Sequence, residues 1–402
     1  MQEPLIGRHS LLRGLNYRAV FERLAANGPS ARSDLARELE LSGASVTRLI
    51  DGLLGAGLVL EGARVASRAG RRRTLLDVNP RAAVIAGLSI RARTVRLLLT
   101  DLKGTLLARH TAPRNNESPA SLVRQVRDLV FEMRRQHAGA NVPLGAVVVG
   151  ISGAWDGVGR RVHAAPNLAL LEGVDLLELL EEELAGEVLG GAITVDNDIN
   201  YAALGELAYG AARGVSDFFY LSLGAGVGGA AVVGGELHRG TLGFAGEVGY
   251  LPVVSEGQLY PLETLVSRGA LERYVEEEGL AGEAIFEHPD HDDEALDAVS
   301  DRVGDYLGQA LAAIVTILDP SLIVLGGGLG RYSDHWITAI RARLIGIVPE
   351  VPELVSTELG WDASLRGALA HGLTLTREAL IEALISEPAP GSVMLSTATP
   401  RS

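Results

Sequence analysis

Residues 218–250 read FFYLSLGAGVGGAAVVGGELHRGTLGFAGEVGY, and the order of their parts decides the fold. Phe218 to Leu223 alternates as a buried strand does and Ala230 to Val233 resumes one; Gly224, Gly226, Gly228 and Gly229 between them predict a turn with bare N–H groups. Such a turn suits an anion. Gly234-Gly235 has the form of a two-residue hairpin turn, and the run Ala245 to Gly249 carries Glu247 into a loop of small residues open to close approach by a polar ligand. Taken alone, the same glycines also fit a meander that binds nothing, so the surrounding chain has to decide.

Outward from this stretch, strands and helices alternate. Upstream, Ala83 to Ile90, Val95 to Thr100, Leu106 to His110 and Leu144 to Ile151 read as strands and Pro119 to His137 as an amphipathic helix. Val174 to Ala185 follows as a helix, Ala192 to Val195 as a strand, and Asp196-Asn197-Asp198 stands before a helix from Ile199 to Ala208. Downstream come a helix from Leu296 to Leu318, a buried strand from Leu322 to Leu325, a glycine turn from Gly326 to Gly330, and helices from Ser333 to Leu344 and Trp361 to Leu384. The pattern is α/β, with lobes expected at 81–190 and 191–360, a helix at 361–385 returning to the first lobe, and a disordered tail at 386–402. Ligands in such sheets bind at the carboxyl ends of strands, where Ser152, Asp196 to Asp198 and Gly224 to Gly229 fall.

Residues 1–80 have another character. Leu12, Leu15, Ala19, Phe21 and Leu24 are expected on the inner face of a first helix; a second, about Ala31 to Leu39, turns tightly into a third that opens at the N-cap Ser42. That third helix buries Val46, Leu49, Ile50, Leu53 and Leu54 and exposes Ser45, Thr47 and Arg48, which is the form of a helix-turn-helix. Strands at Leu58 to Glu61 and Thr74 to Val78 then flank Arg64, Arg68, Arg71, Arg72 and Arg73, predicting a basic wing. Residues 1–80 hold 12 Arg against 8 acidic residues, whereas the remaining chain holds 24 basic against 42 acidic. A cationic head suits double-stranded DNA and the acidic body would repel it.

The chain has 402 residues, no cysteine and 47% hydrophobic residues, enough for two or three cores and incompatible with disulfides or thiolate metal sites. No run approaches the roughly 18 apolar residues of a membrane span and no leader pattern opens the sequence, so a cytoplasmic protein without membrane partners is expected. The run Glu287 to Glu294, with His288 and His291, reads as a solvated loop rather than a metal site.

The motifs LARELELSGASVTRLIDGLLGAGLV, AAPNLALLEGVDL, VDNDINYAALGE, the glycine stretch quoted first and DPSLIVLGGGLGR together resemble the ROK family (repressor, open reading frame, kinase) over nearly the whole chain. The resemblance implies a winged helix-turn-helix ahead of a two-lobed, actin-like and ribonuclease-H-like sugar-kinase body. It further implies that Asn197, Asp198, Glu247 and Glu263 grip sugar hydroxyls, with Asn167 nearby and Tyr250 where the family usually places a zinc-binding His that also touches the sugar. Independently of family, Asn197 and Asp198 also suit the cap of the following helix.

Two departures define the kind of member. The family's first phosphate loop, Asp-x-Gly-Gly-Thr, is replaced by Ser89, Arg91, Ala92 and Arg93, which removes both the bare backbone and the metal-holding carboxylate that phosphoryl transfer needs. The zinc ligands are missing as well. The expectation is therefore a non-enzymatic, cofactor-free, metal-free transcriptional regulator, most simply a repressor, reading an inverted-repeat operator as a homodimer or dimer of dimers under a sugar effector. Rival readings are a body that has lost its ligand and only dimerises, and a sugar kinase with an added head. Arg91 and Arg93, opposite Gly226 and Gly228, could receive the phosphate of a sugar phosphate or simply face solvent.

Overall fold

The structure is a computed structural model, and it describes residues 5–66, 72–163, 165–279 and 293–386. The head is built from α1 (Leu5–Asn27), β1 (Ser30–Ala31), α2 (Arg32–Glu38), α3 (Gly43–Gly55), β2 (Val59–Ala66) and β3 (Arg72–Val78), its strands ordered β1-β3-β2. Ser42 caps α3 by accepting from Ser45 N–H, and Val46, Leu49, Ile50 and Leu53 fall on its buried face. The expected phase of α1 needs correction: Tyr17, Val20, Phe21 and Leu24 are buried, while Leu12, Leu15 and Ala19 are exposed. The residues of α1 buried in the head lie in its second half, while Gly14, Arg18 and Glu22 face the last described helix. Arg68 and Arg71, His288 and His291, and residues 387–402 of the expected tail lie outside the described residues.

The first lobe contains β4 (Val84–Ile90), β5 (Thr94–Asp101), β6 (Leu106–Pro113), α4 (Pro119–His137), β7 (Leu144–Ile151), β8 (Ala154–Asp156), β9 (Arg161–His163), α5 (Leu176–Glu183), β10 (Ile193–Asn197) and α6 (Asp198–Tyr209). Its five-stranded sheet has the order β10-β7-β4-β5-β6, with β4, β7 and β10 parallel and β4-β5-β6 antiparallel. Alternation along β4 sends Val84, Ala86, Leu88 and Ile90 into a core with α4, and Ile85 to the opposite face. The boundary expected at residue 190 is corrected here, because β10 pairs in parallel with β7 and is the edge of the first sheet, not the start of the second lobe.

The second lobe repeats the plan with β11 (Phe218–Leu223), β12 (Val227–Val233), β13 (Glu236–His238), β14 (Pro252–Ser255), β15 (Gln258–Pro261), α7 (Leu262–Val266), α8 (Arg268–Glu277), α9 (Asp293–Leu318), β16 (Leu322–Gly326), α10 (Asp334–Leu344), β17 (Glu353–Ser356) and α11 (Ala363–Ser386). The order β13-β12-β11-β16-β17 is the first sheet's order element for element: an antiparallel meander followed by two parallel strands. The helix after each lobe's last strand crosses over. α6 packs into the second lobe's core with Phe218, Tyr220 and Val324, whereas α11 places Leu365, Ala368, Leu369 and Leu373 on the first lobe's sheet. The two helices pack on each other, so both N-termini open between the lobes. That crossing creates the site.

α11 also holds the head. Arg18 pairs with Glu378 at 2.7 Å and Arg377 with Glu22 at 3.1 Å, joining α1 to the last helix, and Lys103 pairs with Asp77 at 2.7 Å beneath the wing. Among the described residues no helix is long and apolar enough to cross a membrane.

Candidate functional site

A cleft of roughly 530 Å³ lies where the two helix N-termini meet the strand ends. Asn197 ends β10 and caps α6, its Oδ1 accepting from Ile199 N–H at 2.7 Å, and Asp198 begins the helix with its carboxylate in the cleft. The capping role and the cleft position coexist. Ser152, at the end of β7, donates to Asp198 Oδ2 at 3.1 Å. Glu263 of α7 accepts from Val227 N–H at 2.9 Å, and Glu247 and Asn167 complete the polar wall. Burial holds the Asp198 carboxyl above its ordinary range even though Arg91 and Ser152 pull the other way. Glu247 is raised by burial and by the neighbouring Glu263.

The glycines of β11–β12 serve differently from the sequence expectation. The turn is only Gly224–Gly226, with Gly224 N–H bonded to Gly226 O at 3.0 Å. Gly228 lies opposite Ser222 in the ladder and Gly229 N–H goes to Gly246 O at 2.7 Å, so neither is part of a bare nest. Their lack of a side chain is a packing requirement: a Cβ would stand 2.6 Å from Ile199 Cδ1 at Gly228 and 2.2 Å from Phe219 Cζ at Gly229. At Gly226 the space is taken by Glu263 Oε2, 2.8 Å from where a Cβ would be.

Two expected cleft residues are elsewhere. Tyr250 is 71% exposed, because the turn Val248–Tyr250 buries Val248 and Gly249 and throws the ring outward. Arg93 is exposed on the far side of the β4–β5 turn and does not line the cleft. Arg91, by contrast, reaches in. Its Nε donates to Ser89 Oγ at 3.2 Å, its Nη2 stands 4.0 Å from Asp198 Oδ2, and its guanidinium lies 5.6 Å from the Trp361 ring centroid. Sequence reasoning did not place Trp361 or Ser364 in the cleft; they arrive through the crossover of α11, for which no local pattern signals a partner.

In the head, Thr47 and Arg48 are exposed on α3, Thr47 with its hydroxyl turned to Gly43 O at 2.8 Å, while Ser45 is half-buried with its hydroxyl 2.9 Å from Ser42 Oγ. Arg64 and Arg72 are exposed on the wing strands. Arg73 is not free for a ligand, since Nη1 holds both oxygens of Asp34 at 2.9 and 3.0 Å and pins the wing to α2.

The raised pKa of Glu247, caused by burial and by Glu263, carries a pH prediction. The folded state penalises ionised Glu247, so the cost is absent below the ordinary carboxylate range and grows as pH rises through the raised value. Glu247→Gln should therefore raise the melting temperature at pH 8 and lose that advantage near pH 4, as read by calorimetry at both pH values. An equal shift at the two pH values would refute the assignment.

The ROK family model matches residues 85–373. A putative xylose repressor from Caldicellulosiruptor sp. (strain Rt8B.4) is 27% identical over 84% of this chain and 88% of its own length. A glucokinase from Halalkalibacterium halodurans is also 27% identical, over 70% of this chain and 92% of its own. In fold, the chain is similar to a ROK family transcriptional regulator homologous to the E. coli MLC protein, with a TM-score of 0.74, 20% identity and coverage of 93% of this chain and 99% of that one.

Proposed function

The chain belongs to the ROK family, and from that premise we propose that it is a DNA-binding transcriptional repressor whose operator affinity is set by a sugar or sugar derivative bound between the lobes. The observation that carries this reading is α11, whose first turn forms a wall of the cleft and whose later turns grip α1 of the head. One rigid element thus touches both the ligand and the DNA-binding unit. The xylose repressors support the reading, since they cover 84% of this chain against 70% for the glucokinase.

Asn167, Asn197, Asp198, Glu247 and Glu263 supply the acceptors and amides that hold vicinal hydroxyls. Kinase chemistry is disfavoured by the side chains themselves: Ser89 holds Arg91 across the place a phosphate loop would occupy, and Arg91 faces Asp198, the carboxylate a kinase would use as base. The protein works in the cytoplasm as a homodimer or dimer of dimers on an inverted repeat, with contacts between bodies. Footprinting of the purified full-length protein on genomic DNA, with and without a sugar panel, tests the whole reading. A cognate sugar should change operator affinity about 5- to 150-fold. Failure to protect any site would sink it.

Within the head, Arg64 and Arg72 approach phosphates and Arg73 does not. Alanine at both Arg64 and Arg72 should weaken all sequences alike and reduce the salt slope by about 2 per protomer. Arg73→Ala should leave the slope unchanged while lowering the melting temperature of the head, because it releases Asp34. Equal salt behaviour of the two variants would reject this division of labour.

A further inference from the structure

The cleft contains a group that recognition of hydroxyls leaves unused. Ser364 is 5% exposed, lies in the first turn of α11, lines the cleft, and its Oγ has no hydrogen-bond partner among the described residues. A buried hydroxyl left unpaired is costly unless a ligand completes it. α11 runs 24 residues, so its N-terminal end puts a partial positive charge beside that hydroxyl, with the Ala363 N–H itself bonded to Gly360 O. Gly360, Trp361 and Ala363 also line the cleft, whereas the carboxylate between them, Asp362, does not and is held by Arg96 and Arg109.

Arg91 supplies the formal charge. Ser89 and the Trp361 ring fix its guanidinium. At 4.0 Å from Asp198 it is close enough for Coulomb attraction but beyond hydrogen-bond distance, so its outer N–H groups stay available. The carboxylates facing the cleft are Asp198, Glu247 and Glu263; Asp198 is the one beside Arg91, and Glu263 is engaged with Val227 N–H on the β12 side. A hydroxyl donor, a guanidinium and a helix N-terminus converging on one corner is donor chemistry for a compact oxyanion.

We propose that the effector is a phosphate monoester of a sugar, its phosphate seated against Arg91, Ser364 Oγ and the N-terminus of α11, and its hydroxyls on Asn197, Asp198, Glu247 and Glu263. This rests on the reading of the cleft as a sugar site. It revises the phosphate set expected from the sequence: Arg91 stays, Arg93 lies outside the cleft, Gly226 and Gly228 line the cleft without forming the seat, and Ser364 joins. Binding at this corner also sits directly on the helix that grips the head, which gives the phosphate its leverage.

Titration calorimetry on the full-length protein decides, using glucose, mannose and ribose paired with glucose 6-phosphate, mannose 6-phosphate and ribose 5-phosphate, and inorganic phosphate alone. In the wild type at least one ester should bind tenfold or more tightly than its parent sugar. Arg91→Ala should bring that ratio within twofold, Ser364→Ala should lower it severalfold, and Arg93→Ala, outside the cleft, should leave it unchanged; Arg91→Gln serves if the alanine variant unfolds. Esters and sugars binding equally, with both lost in Asp198→Ala, would overturn the phosphate subsite and leave the sugar cleft standing. Inorganic phosphate binding as tightly as every ester would assign the corner to a free anion and overturn the ester. No binding by any sugar or ester would overturn the cleft reading and the subsite together.

Discussion

Arg48→Ala is expected to remove specific operator binding at physiological salt while leaving the fold intact. The buried face Val46, Leu49, Ile50 and Leu53 fixes the rotation of α3, so Arg48 projects from the opposite face. A bidentate contact to guanine is worth about 1–3 kcal/mol per base read. In a two-fold assembly each substitution acts in both half-sites, which are far enough apart to add, so the whole operator should lose about 2–6 kcal/mol. Fluorescence anisotropy on the full inverted repeat and on a single half-site measures both terms. Thr47→Ala should matter less, because its hydroxyl is already turned to Gly43 O and only its methyl remains to meet a base. Wild-type affinity in Arg48→Ala would mean that α3 does not enter the groove, and equal losses on half-site and repeat would remove the two-fold assembly.

Gly367→Ala should destabilise the body at or beyond the upper end of the about 1–3 kcal/mol that overpacking usually costs. A Cβ there would lie 1.6 Å from Tyr201 O and 2.7 Å from Gly205 N, and one at Gly205 would lie 2.3 Å from Ala363 O. α6 and α11 therefore touch backbone to backbone through this glycine pair, and neither atom set is a flexible tip that can move aside. An added methyl has to push apart the two helices whose N-termini frame the cleft, so loss of stability and loss of effector response should come together. Urea unfolding of the variant measures the first. Gly269→Ala, with open space around its Cβ, is the control and should be neutral or stabilising by up to about 1 kcal/mol. A shift at Gly367 no larger than at Gly269 would contradict the packing argument.

What the sequence made legible was local. The strand at Leu144–Ile151 and the helix at Pro119–His137 appear within the limits read from periodicity and capping, since a continuous apolar run and a Ser-Pro start leave little ambiguity. Asp198, Glu247 and Glu263 reach one cleft as the family motifs imply. Failures came where a tertiary partner decides. Gly228 and Gly229 look like turn residues in one dimension and are strand residues stripped to admit Ile199 and Phe219. Arg73 reads as one of a basic run until Asp34 arrives from α2. β10 carries no local mark of the sheet it joins, and Trp361 and Ser364 enter the cleft only because α11 crosses from one lobe to the other.

That crossing also sets a schedule for biosynthesis. Ile85, Ala146 and Val148 form the sheet face that Gly372 of α11 approaches, a Cβ there lying 2.5 Å from Ile85 Cγ2 and 3.1 Å from Val148 Cγ2. The strands bearing that face are translated long before α11, and at about 5–20 residues per second the delay is roughly 10–50 s. During that interval the part of this face that α11 covers stays open, and Arg18 and Glu22 of α1 lack the Glu378 and Arg377 with which they pair. A ribosome stalled before residue 363 would thus hold a head with its own small core on an open, aggregation-prone body. The Arg18–Glu378 and Glu22–Arg377 pairs form only once α11 has been made, so the body takes hold of its head after both sheets have been translated.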